Sequence, residues 1–323
     1  MLIFDAHSDI LAEVMIKRER GLTGNLLRDH LPRLKSSGIK GAILVFWLTP
    51  EKTSDPVAGL EFMLTEMTRE FAETGPEMVI VRGLEDLRRA EAEGRFYALL
   101  GVEGLAGLRD GAEGLGRLYD YGIRHAGLTW NEENDLATGV GGASVCRGLT
   151  AEGRRVVARM ESLGMLIDVS HLNEKSFWDV IEVTTGPIIA SHSNARALCG
   201  APRNLTDQQI RAVAERGGVI GFNSWGDFID ARDPTLARAL DHISYLVDLA
   251  GSDHVGFGFD FMDYFDSDPA SPEPGQPLAF CRGLARCEDA PGLIEALRDR
   301  GYTEELLEKI AFGNFHRVIS QVL

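Results

Sequence analysis

The chain has 323 residues, of which 44% are apolar and 25% are charged, so it can bury a large core. Its net charge of −16 would repel the phosphates of nucleic acids and an anionic membrane surface, and we expect neither as a partner. No stretch reaches the roughly 18 apolar residues of a membrane-spanning helix, and the start lacks the basic segment of a signal peptide. The spacing of its cysteines fits no zinc knuckle or redox pair, which predicts reduced, partly buried thiols in a cytoplasmic protein. They are Cys146, Cys199, Cys281 and Cys287.

Short apolar segments of strand length alternate along the chain with longer amphipathic segments of helical period. The strand-like segments are residues 2–9, 41–47, 96–104, 123–131, 164–171, 187–193, 217–223 and 254–260. Most are apolar on both faces, as are the strands of a parallel sheet that is covered by helices. The helical segments include residues 57–73, 152–164, 205–218 and 236–251. Several of these end at a glycine, as helices commonly do.

This alternation predicts a single TIM-type (β/α)₈ barrel over residues 1–323. A doubly wound open sheet is the rival fold, but no glycine-rich phosphate turn follows the first strand. An extra element at residues 77–81 fits inside a long connection, and residues 267–277 form a Pro-rich loop. Two additional helices, near residues 290–300 and 303–321, follow the last strand.

Polar side chains stand where the predicted strands end. They are His7, Asp9, Trp47, Glu103, Trp130, Asn131, His171, His192, Asn223 and Asp260. In a (β/α)₈ barrel these ends meet at one mouth, where the chemistry of the fold takes place. Taken singly, each residue could be structural: Asp9 could cap the following helix, and a lone histidine more often makes a structural hydrogen bond. Their convergence favours a joint site.

The first strand suggests what that site binds. His7 and Asp9 are two residues apart, so on a strand they point to the same side and can bind one cation together. Imidazole and carboxylate ligands suit a cation such as Zn²⁺. The three histidines and three carboxylates at the strand ends are too many for one tetrahedral zinc. They suit two metals that share a carboxylate.

The remaining histidines are not expected to bind metal. His30, His242 and His316 lie in helical patterns with polar neighbours, which predicts that they are exposed at the surface. His125 lies in the middle of a strand, and His254 begins one, at the wrong end of the barrel.

In combination, the motifs of the chain resemble those of the membrane (renal) dipeptidases, binuclear zinc metallopeptidases with a distorted (β/α)₈ barrel. The resemblance spans essentially the whole chain. It rests on DAHSD at the start, GVEG, LIDVSH, SHSNARALCGAPRNL, GFGFDFMD and the C-terminal GNFHRV. FDFMD departs from the more usual DFDG of the family.

The resemblance implies two zinc ions per subunit, with Mn²⁺ or Co²⁺ as substitutes. His7, Asp9 and Glu103 would bind one zinc, and Glu103 would bridge to a second zinc held by His171 and His192. Water that bridges two zinc ions loses a proton near neutral pH, and the resulting hydroxide would attack the peptide bond. The resemblance thus makes Glu103 a catalytic residue as well as a ligand.

The resemblance also implies roles around the scissile bond. Asp260 matches the family's acid/base residue, and Arg203 matches the arginine that pairs with the substrate's C-terminal carboxylate. Trp130 stands where better-known members have a histidine, since this chain reads LTW for LTH, which is similar to a bacterial, cytoplasmic-type subgroup. Asn131 and Trp225 are further candidate substrate contacts. Without the resemblance, Arg203 reads as a surface salt bridge, and Trp130 and Trp225 as packing residues.

The resemblance therefore predicts a zinc-dependent dipeptidase that accepts L-Xaa-D-Xaa dipeptides and forms a homodimer. The nearest alternative is a metal-dependent amidohydrolase on the same barrel that acts on acylamino acids, lactams or lactones. Such enzymes typically begin with H-x-H, whereas this chain has His7 and Asp9 in that pattern. A barrel that binds metal or peptide without chemistry is a third reading, which the complete ligand set disfavours.

Overall fold

The computed structural model describes residues 1–48, 54–143, 147–266, 275 and 279–323. Within them, nine parallel strands form one sheet, and eight of these strands close into a barrel, which confirms the predicted fold. The strands are β1 (Ile3–Ser8), β2 (Ile39–Trp47), β3 (Met78–Ile80), β4 (Phe96–Glu103), β5 (Ile123–Gly127), β6 (Leu166–Asp168), β7 (Ile189–Ala190), β8 (Val219–Phe222) and β9 (Val255–Phe257). β1 pairs with β2 and β9, and pairing between β2 and β4 closes the ring.

The extra element near residues 77–81 is β3, a ninth strand outside the ring. Among the described strands it pairs with β4 alone, at the beginning of β4, where Met78 lies opposite Phe96. β5 takes over the same edge of β4 from Leu100 onward. β3 therefore extends the sheet at the end of the barrel where the strands begin, away from the predicted site.

Helices connect the strands and surround the barrel. They are α1 (Ile10–Glu19), α2 (Leu31–Ser36), α3 (Pro56–Thr74), α4 (Leu84–Ala92), α5 (Gly111–Tyr121), α6 (Ala151–Leu163), α7 (Glu174–Val183), α8 (Asp207–Glu215), α9 (Gly226–Ile229), α10 (Leu236–Ala250), α11 (Ala290–Asp299), α12 (Glu304–Glu308) and α13 (Asn314–Val322). The four predicted helical segments correspond to α3, α6, α8 and α10. A π-helical turn, Lys309–Gly313, divides the last predicted helix into α12 and α13. Among the described helices, none combines the length and the apolar character needed to cross a membrane.

Apolar side chains fill the inside of the barrel. Because side chains alternate along a strand, Ile43 faces the interior while its neighbour Leu44 packs against the surrounding helices. The ring of Phe4 lies 5.9 Å from that of Tyr97 and 5.8 Å from that of Phe315 on α13. Residues of α13 thus close the end of the barrel opposite the mouth.

An irregularity in β1 directs its polar residues toward the mouth. The register against β2 shifts between Asp5 and Ser8. Ala6 packs among the interior residues, and the shift lets the next residue, His7, also turn inward. The Asp5 carboxylate fixes this bend, since it accepts hydrogen bonds from the backbone N–H groups of His7 and Phe259.

Two expectations about single residues are wrong. His30 and His242 are buried, whereas the helical patterns predicted exposed histidines. His30 Nε2 lies 2.9 Å from a carboxylate oxygen of Glu13. His242 accepts a hydrogen bond from the N–H of Ala195 and donates one to the carbonyl of Ile229. Each ring therefore has a partner that compensates for its burial.

The cysteines and the Pro-rich loop are only partly covered by the described residues. Cys199, Cys281 and Cys287 are buried, free thiols, as expected. Cys146 and all but Gly275 of the predicted loop at 267–277 lie outside the described residues.

Candidate metal centre

The five side chains predicted to bind metal meet at the mouth of the barrel, and all are buried. Oε1 of Glu103, the last residue of β4, lies 2.9 Å from His171 Nε2, 3.3 Å from His192 Nε2 and 3.5 Å from His7 Nε2. Asp9 Oδ2 lies 3.4 Å from His7 Nε2. The side chains form two groups of potential ligands that share Glu103, one with His7 and Asp9 and one with His171 and His192.

Several polar atoms of this cluster have no hydrogen-bond partner among the described residues. They are Nδ1 and Nε2 of His7, Oδ1 of Asp9 and Oε1 of Glu103. Buried polar groups are nearly always paired, so the unpaired atoms of His7, Asp9 and Glu103, which form one group of potential ligands, are available to bind a cation. Imidazole nitrogens and carboxylate oxygens at this point are the donor set of a Zn²⁺ site, and the residues therefore fit the implied metal.

The protonation of His171 and His192 suits the same interpretation. Their Nε2 atoms lie 2.9 Å apart and both face Glu103. Burial is the largest cause that holds the pKa of both histidines well below the usual range, and the positive charge of Arg203 adds to it. Both rings are therefore neutral, which is the form that binds a cation.

Asp9 stands at the position that precedes a helix, but it does not act as a cap. β1 ends at Ser8 and α1 begins at Ile10, so Asp9 occupies the N-cap position. Its side chain makes no capping hydrogen bond and turns toward His7 instead. The structure thus disfavours the capping alternative.

His171 and Asp260 hold their side chains at the mouth through an uncommon backbone conformation. Their φ angles are 67° and 59°, in the left-handed region that residues with a Cβ rarely adopt. Each follows the end of a short strand, β6 or β9. Such strain is typical of functional sites, where the surrounding structure offsets a cost of about 1–3 kcal/mol.

Asp260 lies beside the cluster in a fixed orientation. Its Oδ2 accepts a hydrogen bond of 3.0 Å from Asn223 Nδ2, and its backbone N–H donates to the carbonyl of His7. Burial and the neighbouring charge of Asp9 raise the pKa of Asp260 to about 7, although His7 opposes the shift. A carboxyl group with this pKa can give up and take back a proton near neutral pH.

Arg203 is buried at the same mouth and is not the surface salt bridge that its sequence position alone would suggest. Its guanidinium donates to the carbonyl of His192 at 3.0 Å and lies 3.4 Å from Ser193 Oγ. Its Nε has no hydrogen-bond partner among the described residues. This planar group therefore retains a donor for a ligand.

The predicted substrate contacts differ in where the structure places them. The ring of Trp130 lies 5.5 Å from that of Trp47 and 6.2 Å from that of His171. Asn131 has a contact that sequence reasoning did not anticipate, because its Oδ1 lies 2.8 Å from His171 Nδ1. The described contacts of Trp225 run through its backbone, to the side chain of Asn223 and the backbone of Phe280.

Sequence reasoning missed Asp168 and Ser191, which lie directly behind His192. Asp168 forms a third group of potential ligands with His7 and His192, within 4.8 Å of one another. Its two oxygens, however, already accept hydrogen bonds from the protein, so it is a poor candidate for a ligand. The motifs LIDVSH and SHS contain both residues, but only their histidines stood out as chemistry-bearing groups.

Comparison with known proteins places this geometry in a family. The model of the family "Membrane dipeptidase (Peptidase family M19)" matches residues 1–323. An uncharacterized protein of Klebsiella pneumoniae is 35% identical over 278 residues, which cover 83% of this chain and 97% of the relative.

Solved structures agree with this match. One described as dipeptidase AC, a metallopeptidase of family M19, is 26% identical with a TM-score of 0.86, covering 100% of this chain and 98% of its own. A metallopeptidase of Rhodobacter sphaeroides, bound to a phosphinate mimic of L-Ala-D-Ala, shares the fold at 24% identity. Its TM-score is also 0.86, over 100% of this chain and 99% of its own. This chain therefore belongs to the membrane dipeptidase family, peptidase family M19, and is a hydrolase that acts on dipeptides.

Proposed function

We propose that the protein is a zinc-dependent dipeptidase with two metal ions at the mouth of the barrel, and that its substrates include L-Xaa-D-Xaa dipeptides. One observation carries the proposal. Oε1 of Glu103 lies within 3.5 Å of the Nε2 atoms of three histidines, and Glu103 belongs to two groups of potential ligands. A carboxylate that joins two such groups suits a bridging ligand.

The ligand groups support two metal positions. His7, Asp9 and Glu103 would hold one ion, and Glu103, His171 and His192 would hold the other. When bound, the metals lower the pKa of coordinated water and polarise the carbonyl of the peptide bond. The remaining tasks are to orient the dipeptide and to move a proton, and these belong to side chains of the protein.

Asp260 is the candidate for proton transfer. Its raised pKa lets the carboxyl group carry a proton near neutral pH, and Asn223 holds one of its oxygens in place. From this position it would deliver the proton to the departing amine when the peptide bond breaks.

Arg203 is the candidate for recognition of the substrate's end. A buried guanidinium with an unpaired donor is suited to a carboxylate, which it can bind with two parallel hydrogen bonds. Because Arg203 donates to the backbone of His192, a carboxylate bound there would lie close to the metal positions. This proximity favours substrates with a single residue after the scissile bond.

The aromatic side of the mouth bears on the substrate range. Trp47 and Trp130 form an apolar wall beside His171. The indole N–H of Trp130 can donate a hydrogen bond but cannot accept or titrate, unlike a histidine at this position. The L-Ala-D-Ala mimic bound to the Rhodobacter sphaeroides metallopeptidase, which shares this fold, supports L,D-dipeptides as substrates.

The test compares metal-stripped and zinc-refilled protein on a panel of L,L- and L,D-dipeptides, with amino-acid release as the readout. We expect zinc-dependent turnover that includes L-Ala-D-Ala. Glu103→Gln should lower it by roughly 100-fold or more, since several kcal/mol of transition-state stabilisation depend on the metals. Glu70→Gln alters a buried glutamate paired with Arg18, and should keep the turnover of its folded fraction.

Substitution of Arg203 separates the dipeptidase from a barrel amidohydrolase. Arg203→Ala should raise the KM for dipeptides, because their carboxylate loses its partner. Zinc-dependent hydrolysis of neutral lactones that Arg203→Ala leaves unchanged, with no release from dipeptides, would instead establish the amidohydrolase. Turnover that is the same in stripped and refilled protein would refute metal dependence.

A further inference from the structure

We infer that Asp168 and Ser191 form a hydrogen-bonded relay behind His192 that fixes the tautomer of this ring, and so controls how tightly its metal position binds zinc. The inference rests on the proposed role of His192 as a ligand. It assigns a function to two buried residues that touch neither substrate nor metal in the proposed mechanism.

The hydrogen bonds of Ser191 determine where its proton goes. Ser191 Oγ lies within hydrogen-bond distance of Asp168 Oδ2 and 2.7 Å from Nδ1 of His192. A hydroxyl group has one proton, and an ionised carboxylate can only accept. Ser191 must therefore donate to Asp168, and its oxygen accepts a hydrogen bond from the Nδ1–H group of His192. The ring is thus held as the Nδ1–H tautomer, and Nε2 keeps its lone pair for a cation.

The protein keeps Asp168 in the acceptor state that this relay requires. Its carboxylate also accepts from the backbone N–H groups of Ser170 and Ser191, at 2.9 and 3.0 Å, and lies 3.0 Å from His125 Nε2. Burial alone would raise the pKa of Asp168, but the hydrogen bonds from His125 and Ser191 hold it well below the usual range. Asp168 thus stays ionised.

The register of two short strands creates the relay. Asp168 ends β6 and lies opposite Ile189 in β7. Its side chain therefore reaches Ser191, which comes two residues after Ile189 and directly before His192. Asp168, Ser191 and His192 are each at most 3% exposed, so they are shielded from solvent that could replace the relay.

The other histidine of this metal position has a different partner. His171 Nδ1 lies 2.8 Å from the amide oxygen of Asn131, which can fix the same tautomer but carries no charge. Of these two histidines, His192 is the one linked, through the hydroxyl group of Ser191, to a buried carboxylate among the described residues. Such partners orient a ligating histidine and raise its basicity, and their loss typically weakens metal binding 10–100-fold.

The experiment measures the zinc affinity of the full chain by competition with a chromogenic chelator, with zinc alone as the probe. Ser191→Ala frees the ring to adopt either tautomer, and we expect roughly 10–100-fold weaker binding of one zinc. Ser37→Ala is the matched control. It removes a buried hydroxyl that donates to the backbone carbonyl of Arg33 at the other end of the barrel, and zinc affinity should not change.

Asp168→Asn makes a sharper test because it keeps the shape of the side chain. The amide oxygen would stay on the two backbone N–H groups, so the NH₂ group would face Ser191. Ser191 would then accept from Asn and donate to His192, which reverses the tautomer and places a proton on Nε2. We expect zinc affinity to fall at least as far as in Ser191→Ala.

The outcomes separate the relay from a structural role and from the proposed function. Thermal unfolding of metal-free variants reports structural damage. If Asp168→Asn or Ser191→Ala lowered only the Tm and bound zinc like the native chain, the relay would be refuted while the dipeptidase proposal stood. If the native chain bound no zinc, the proposed function would be refuted along with the relay.

Discussion

The carboxyl group of Asp260 is half-buried near Asp9, and the loss of solvent and the neighbouring charge both raise its pKa, to about 7. Its backbone is held in the left-handed region, with φ 59°, and its N–H donates a hydrogen bond to the carbonyl of His7. The group that would move the proton is therefore tied directly to the residue that would bind the metal. The surroundings that hold the Asp260 carboxyl group in position therefore also raise its pKa.

Asp260→Asn keeps the size and the hydrogen bonds of this side chain but removes the proton. We expect kcat on dipeptides to fall about 10²–10⁴-fold, the usual contribution of a general acid, with a much smaller change in KM. Steady-state kinetics of zinc-loaded protein checks this. Asp263→Asn, which alters a nearby carboxylate paired with Arg33, is the control and should retain turnover. An Asp260→Asn variant with native kcat would contradict the assignment.

The sequence allowed the ligands to be predicted but not the residues behind them. The proximity of His7, Glu103 and the other candidate ligands could be predicted because parallel strands of a barrel end at one mouth, so position along the chain translates into proximity. The relay of Asp168 and Ser191 depends on which hydroxyl meets which carboxylate. That depends on the local pairing of β6 with β7, which residue spacing does not specify.

The elements follow the sequence pattern closely where they are regular and depart from it where they are not. β6 and β7 span only three and two residues, although the apolar segments that predicted them are longer. The π-helical turn Lys309–Gly313 interrupts the last helix. Such a turn adds a residue to the helical period, so periodicity read along the sequence cannot locate it.

His242 is a polar residue that α10 buries, although the helical pattern of the sequence shows which face it lies on. It lies on α10 with Ala239, Ile243 and Leu246, which are all buried and occupy the same face at helical spacing. Because histidine is polar, its type predicts exposure of His242, although the residue lies within this apolar stripe. Its two ring nitrogens join α10 to Ala195 and Ile229.

This histidine should make the stability of the fold depend on pH. Burial lowers the pKa of His242, so the folded chain binds fewer protons than the unfolded chain below the unfolded pKa of about 6.5. Its contribution to stability is therefore present at pH 7.5 and is lost as the pH falls. The test measures the free energy of unfolding in urea, with zinc-loaded protein, at pH 7.5 and 5.5. Between these pH values it should decrease less for His242→Gln than for the native chain. Equal decreases would contradict this expectation.

At the scale of the whole molecule, the two ends of the barrel have opposite characters. The mouth contains buried titratable groups, whereas the other end is filled by Phe4, Tyr97 and Phe315. The fold class could be predicted because alternation of strands and helices is a property of the entire chain. Closure of the far end by α13 could not be predicted from the sequence, because it depends on a contact between β1 and α13.

Phe315→Ala should destabilise the fold without affecting the metal centre. Removal of a fully buried ring leaves a cavity and typically costs about 3–5 kcal/mol. We expect a decrease of this size in the free energy of unfolding, measured in urea, with zinc affinity unchanged. Phe62→Ala, at a residue that is 43% exposed, should have a much smaller effect. A loss of zinc binding in folded Phe315→Ala protein would show that the two ends are coupled.

The contact between Phe4 and Phe315 also has a consequence for synthesis of the protein. A ribosome adds roughly 5–20 residues each second, so the chain between these rings takes on the order of 15–60 s to make. For most of this time β1 lacks its neighbour β9, and throughout it lacks the ring that fills the barrel beneath it. The nascent chain therefore exposes the apolar surface of an open barrel until its last helix emerges. We expect chaperones to matter more for its yield in cells than the stability of the finished fold would suggest.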